Sequence, residues 1–198
     1  MCTRVRTRRG AVRKSAVRAG VVAACTALLT VAAPGTVQAD DTATTFAVQA
    51  GTLDITVPAT ENVGTGSPGA AITSPFDSAV TVTDDRAAVT AAWTVTVDST
   101  DFTGDQTPAQ TIVDDQISYW SGPATATSGG DAGGATPVFT PGQATSGAAQ
   151  NLSAARTAFT LTGGSGNNSA SFVPTLIINV PAVAVAGTYS GTVSHTVA

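Results

Sequence analysis

Hydrophobic and polar positions alternate along most of this chain, most plainly in Val89-Thr90-Ala91-Ala92-Trp93-Thr94-Val95-Thr96-Val97-Asp98. Large or apolar side chains fall on odd positions and mostly small or polar ones on even positions, which is the period of a half-buried β-strand. The chain closes on a second run of this design, Thr188-Tyr189-Ser190-Gly191-Thr192-Val193-Ser194-His195-Thr196-Val197. Tyr189, Val193, His195 and Val197 share one face of it, and Thr and Ser hydroxyls occupy the other.

The same alternation predicts strands over residues 45–50 and 52–57, with Gly51 at the bend between them and Pro58 ending the second. Residues 61–75, rich in Gly and Pro, read as loop, and residues 78–83 as the next strand. Asp84-Asp85-Arg86-Ala87 is expected to turn the chain into the Trp93 strand as a hairpin. Further strands are expected over 111–113, 116–121, 156–161 and 171–180, the last apolar on both faces and so central. A turn over 163–168 separates the last two, and a surface loop rich in Gly, Ser, Thr and Ala near 122–148 carries a short strand around 137–140. T-L-x-I-x-V-P-A occurs at 52–59 and again at 175–182, as chance or as the trace of two equivalent strands. No stretch after residue 40 carries a helical stripe. The expected fold class is all-β, an antiparallel β-sandwich of two packed sheets in a single domain.

Residues 1–39 break this pattern and read as a cleaved signal peptide. Arg4, Arg6, Arg8, Arg9, Arg13, Lys14 and Arg18 form a basic start, residues 21–33 an apolar run, and Val37-Gln38-Ala39 a small-residue cleavage site before Asp40. The apolar run falls short of the ~20 residues a spanning helix needs, so no stable membrane anchor is expected. Arg8-Arg9 as a twin-arginine signal and Cys25 as a lipidated terminus are the competing export readings. The domain expected to remain is 40–198.

Removing the leader changes the charge. Only Arg86 and Arg156 then face thirteen acidic groups, a net of −11 over residues 40–198, so no nucleic-acid partner is expected. Both cysteines, Cys2 and Cys25, fall within the leader, so stability must come from a packed core and not from disulfides.

Catalytic chemistry finds little support. Gly64-Thr65-Gly66-Ser67-Pro68-Gly69 satisfies G-x-G-x-x-G, but two prolines flank it and a strand follows where a nucleotide site needs a helix. His195 is the only histidine, and its place on the apolar face of the last strand suits a hydrogen-bonded core imidazole. No enzyme, cofactor or metal is expected. Asp98, Asp101 and Asp105 share one loop and have the ligand type calcium takes, without the alternate-residue spacing of an EF-hand. Trp120 is the candidate for stacking on a sugar; the competing reading has it covering the second face of the core.

The Trp93 strand and the closing strand together resemble the WxL domains of Gram-positive surface proteins, in the degenerate form of an actinobacterial-type member or relative. Trp93-Thr94-Val95 is similar to the first W-x-L. Gly187-Thr188-Tyr189-Ser190-Gly191-Thr192-Val193-Ser194-His195-Thr196-Val197 is similar to the second region, G-T-Y-x-G-T-L-T-W-x-L, with Val193 for Leu, His195 for Trp and Val197 for Leu. The resemblance implies a secreted, extracellular, non-enzymatic β-domain associated with the cell wall. Its partner would be peptidoglycan, another wall polymer or a companion surface protein, and the motif residues Trp93, Thr94, Val95, Tyr189, Gly191, Thr192, His195 and Val197 would mark the site. Attachment would be non-covalent, since no L-P-x-T-G signal precedes Ala198. A self-associating structural subunit of the envelope, joined through exposed strand edges, is the alternative. Trp93 and His195 are expected on inward faces of neighbouring or facing strands, close enough to share contacts.

Overall fold

The computed structural model describes residues 42–198; the expected signal peptide lies outside them. In chain order the first strands are β1 (Leu53–Thr56), β2 (Ala71–Pro75), β3 (Val80–Asp84), β4 (Ala91–Ser99), β5 (Phe102–Gly104), β6 (Thr111–Ile112) and β7 (Ile117–Trp120). They are followed by β8 (Ala124–Gly129), β9 (Val138–Pro141), β10 (Gln150–Asn151), β11 (Arg156–Gly164), β12 (Asn168–Phe172), β13 (Thr175–Asn179), β14 (Tyr189–Ser190) and β15 (Val193–Val197). Short 3-10 turns are the only helical elements among the described residues. The fold is all-β, built from four antiparallel sheets that pack together: β1-β3-β12-β8, β10-β7-β13-β2, β15-β4-β11-β9 and β14-β5-β6.

The Trp93 strand is central to its sheet, between β11 and β15, and its odd positions Ala91, Trp93, Val95 and Val97 are buried. Val89 is fully exposed, so the strand starts later than its alternation suggests. Val80, Val82 and Phe172 from the first sheet meet Val95, Phe159 and Leu161 from the third in one core. Phe159 and Phe172 stack with centroids 4.9 Å apart. Ile117, Tyr119, Leu176 and Ile178 extend that core beneath β7 and β13.

Several expected elements differ. No hairpin joins β3 to β4: β3 pairs with β1 and β12, while β4 pairs with β11 and β15. Arg86 folds back onto Asp84, and Ala87 takes a left-handed φ of 52°, so the link crosses from one sheet to another instead of reversing within one. Residues 45–50 form no strand and leave Phe46 and Val48 exposed, because alternation makes a strand only where an edge adjoins it. The loop expected over 61–75 ends in β2, an edge strand where Pro75 needs no partner. The region 122–148 holds two strands, since β8 pairs with β12 and β9 with β11.

The strand read over 171–180 is two. Val173-Pro174 interrupts it, and β12 and β13 are both inner strands of different sheets; only β13 is apolar on both faces, since Ser169 and Ser171 make one face of β12 polar. The closing strand likewise divides at Gly191 into β14 and β15. The two T-L-x-I-x-V-P-A copies are not equivalent, as β1 is an edge strand and β13 an inner one. Crossing is a recurring theme: β2 leads into β3, β7 into β8, β12 into β13, β4 into β5 and β14 into β15, each pair split between two sheets. Phe76 N–H to Pro174 O (2.9 Å) ties two crossings side by side.

Candidate functional site

Trp93 is fixed from two sides. Its ring packs beside Phe139 and Phe159 on its own sheet, and its N–H donates to Asn168 Oδ1 (2.8 Å) on the facing one. Asn168 Nδ2 donates to Asp84 Oδ2 (3.2 Å), and Arg86 holds both carboxylate oxygens of Asp84 at 2.8 and 2.9 Å. The Arg86 bonds lead in lowering the Asp84 pKa, against a burial that would raise it. A buried indole therefore reaches the surface guanidinium through an Asn and an Asp. Asp84, Arg86 and Asn168 were legible only as turn residues; the signal that could have singled them out is two strongly polar side chains, Asp84 and Asn168, at positions continuing apolar strand faces.

His195 stands opposite Val97 on the neighbouring strand, and Val197 opposite Val95. Trp93 and His195 thus lie on neighbouring strands as expected, but their ring partners differ. His195 packs against Phe76 (6.2 Å, edge-on) and Tyr119 (5.6 Å), and its Nε2 is 3.1 Å from Tyr119 Oη. Burial draws the His195 pKa down to about 4 and pushes the Tyr119 phenol up. At neutral pH the imidazole is therefore uncharged, and its tautomer sets which of Nε2 and the Tyr119 hydroxyl donates in the bond they share. Thr94 exchanges backbone bonds with Ala198 (2.8 and 3.0 Å), which fastens the chain end beside the Trp93 strand.

The remaining motif residues build a surface. A groove of about 880 Å³ opens between residues 58–68 and residues 184–193, floored by Ile72, Phe76, Phe102, Ile112, Leu176 and Ile178. Gly187-Thr188-Tyr189-Ser190-Gly191-Thr192 walls one side and the G-x-G-x-x-G segment the other. Both motif glycines are required by contact: a Cβ on Gly191 would sit 2.5 Å from the Phe102 ring, and one on Gly187 would collide with Gln106. The Tyr189 phenol donates to Val185 O (2.8 Å), Thr188 N–H to Asp105 Oδ1 (3.0 Å) and Thr192 N–H to Thr100 Oγ1 (3.0 Å). Glu61 is the groove's one charged lining residue; its Oε1 accepts from Asp77 N–H (3.0 Å), and its buried Oε2 has no partner among the described residues. The groove itself was not legible, because its two walls are more than a hundred residues apart in sequence.

The acidic loop does not converge. Asp101 Oδ1 accepts from Asp114 N–H (2.9 Å) and Asp105 Oδ1 from Thr188 N–H, donors far apart in the chain. Among the described residues no three His, Cys, Asp or Glu side chains gather as a metal site. Trp120 lies on the face of β7 opposite Ile117 and Tyr119, half-buried, with its ring over Gly122 and its N–H shielded from water without a partner among the described residues. No family model matches this chain, and neither a curated protein nor a solved structure matches it.

Proposed function

We propose that this chain is an exported, non-catalytic cell-surface domain that associates non-covalently with the cell envelope, as the WxL resemblance implies. One observation carries the reading: the run Gly187 to Thr192, on which the resemblance chiefly rests, walls the apolar groove, and its glycines are held by contact with Phe102 and Gln106. We read the four sheets as two bent layers of a sandwich, β2, β13 and β7 continuing into β3, β12 and β8, and β14 and β5 continuing into β15 and β4. The groove then opens between the layers at one end. An apolar floor with backbone-rich rims favours an extended segment of a companion surface protein over a wall sugar, because the floor rings Phe76 and Phe102 are buried and offer no exposed face to stack on. Retention of the chain on purified cell walls and on envelope proteins, compared with a Val63→Glu variant at the groove rim, tests this. Loss of retention in the variant supports the groove as the site; recovery of the unaltered chain wholly in the unbound fraction of both would reject the reading.

A second reading, a self-associating envelope subunit, is favoured by the unpaired outer edges of β2 and β14 and by the exposed Phe46 and Val48.

A further inference from the structure

β15 is held less firmly than the strand beside it. It is the outermost strand of its sheet and pairs with β4 alone, and its inward residues Val193, His195 and Val197 are all only half-buried. In β4, by contrast, Ala91, Trp93, Val95 and Val97 are buried. An element with few buried side chains opens before the core does.

His195 is the one inward residue of β15 with polar atoms to satisfy. Its Nε2 shares a bond with Tyr119 Oη (3.1 Å), a hydroxyl on a fully buried side chain with no second partner among the described residues. Phe76 packs edge-on against the same ring. A neutral imidazole fits this place, since one of the two groups donates and the other accepts. An imidazolium does not fit. Both of its nitrogens donate, so the phenol must accept, and the phenol's own O–H is then left buried without an acceptor.

Nothing around the ring offers a counter-charge. Asp98 of β4 stands opposite Ser194 on the outward face, Asp54 of β1, which packs beside β15, alternates outward between Leu53 and Ile55, and Asp77 after Phe76 is exposed. The only ion pair among the described residues is Arg86 with Asp84, so none of these carboxylates reaches the imidazole. His195 stands opposite Val97, and Val97 opposite Arg156 on the next strand, which sets a cation on the same face about 10 Å away across two strand spacings. A second positive charge there is opposed, not drawn in.

We infer that His195 is an acid-sensitive latch: its protonation releases β15 from β4, Tyr119 and Phe76 while the remaining core stays folded, and so bares the hydrogen-bonding edge of β4. Burial holds the folded imidazole down to about 4, and an imidazole on a released strand regains its ordinary value near 6.5, so acid favours the released form. The release requires no ligand.

Hydrogen exchange of the full chain between pH 7 and pH 4.5, corrected for the intrinsic rate at each pH, tests this. Thr94 and Ala198 exchange both backbone bonds, which makes the even-numbered pairs of this ladder the bonded ones. The amides of Ser194 and Thr196, and of Thr94, Thr96 and Asp98 facing them, should lose protection at least tenfold, while those of β11 and β12 keep theirs. The midpoint should fall between about pH 4 and 6.5 and coincide with the imidazole titration followed by NMR on the unaltered chain. His195→Gln keeps a group that can bond the phenol but takes up no proton, and should hold β15 in place at pH 4.5. Release in His195→Gln equal to that of the unaltered chain would overturn the latch, as would protection lost equally through β11 and β12. A release midpoint that departs from the imidazole titration would overturn it without recourse to any variant.

Discussion

The indole N–H of Trp93 donates to Asn168 Oδ1 at 2.8 Å, and this one bond joins the two strands whose sheets enclose the core. Its partner is engaged further: Asn168 passes the chain of bonds to Asp84, which Arg86 neutralises. Trp93→Phe keeps an aromatic ring but removes the donor and part of the indole, leaving a buried amide oxygen unpaired at a cost of about 1–3 kcal/mol, to which the smaller side chain adds a cavity cost. Asn168→Ala removes that oxygen but strands both the indole N–H and one bond to Asp84, so it should cost at least as much. Urea unfolding of both single variants and the double variant measures the coupling. Strongly less-than-additive losses are expected, because each single change already breaks the same bond; strict additivity would show that the bond contributes nothing.

The protein should lose stability in two separate acid windows. Below pH 6.5 the unfolded imidazole of His195 takes up a proton that the folded one, with a pKa drawn down to about 4, refuses. Acidification over that interval favours unfolding, and below about pH 4 the folded state protonates as well and the effect levels off. At ~1.4 kcal/mol per pH unit the loss reaches at most about 3–4 kcal/mol, less what solvent screens at the partly exposed ring. Asp84 acts lower: its folded pKa is depressed by Arg86, so its contribution is complete above the ordinary carboxylate range and disappears as pH falls through the lowered value. His195 is the sole histidine, so its imidazole titration can be followed by NMR without assignment. A His195→Gln variant should flatten the upper window and leave the lower one.

Which parts of this fold were legible depended on whether the information was local. Period-two alternation located β4, β7, β11 and the buried face of Trp93, since burial of alternate side chains is written in consecutive residues. Partner choice was not local. Asp84 to Ala87 looks like a hairpin turn, yet the Arg86 bonds and the left-handed Ala87 send the chain across to another sheet. Pro174 could be seen to interrupt a ladder, but not that β12 and β13 join different sheets. The motif residues illustrate the same division. Gly191 was visible as part of a recurring run; that its hydrogen faces the Phe102 ring required the fold.

Calcium should leave the unfolding midpoint unchanged. The acidic residues of the loop act singly as acceptors, Asp101 for Asp114 N–H and Asp105 for Thr188 N–H, and among the described residues they do not gather with other carboxylates into the six-oxygen shell calcium takes. Asp105→Ala should instead cost about 1 kcal/mol by releasing Thr188 N–H at the groove wall. A calcium-dependent rise in the thermal midpoint, abolished by Asp101→Asn, would contradict this arrangement.

Gly191→Ala should damage the groove before it damages the core. The added methyl would lie 2.5 Å from Phe102 Cδ2 and 2.8 Å from two further ring atoms, so either the ring or the strand must move. Phe102 is buried beside Ile112 and has little room, whereas β14 makes only a two-residue pairing with β5. The weaker element should yield, moving β14 and the Tyr189 phenol that bonds Val185 O, at a cost of about 1–3 kcal/mol. Hydrogen exchange should then quicken at residues 187–192 while the amides of β4 and β11 stay protected. Pairing the change with Phe102→Leu gives the methyl space and should recover part of the loss. If exchange instead rose uniformly through β4 and β11, the close approach of Gly191 to Phe102 would be a feature of the whole core and not of the groove wall.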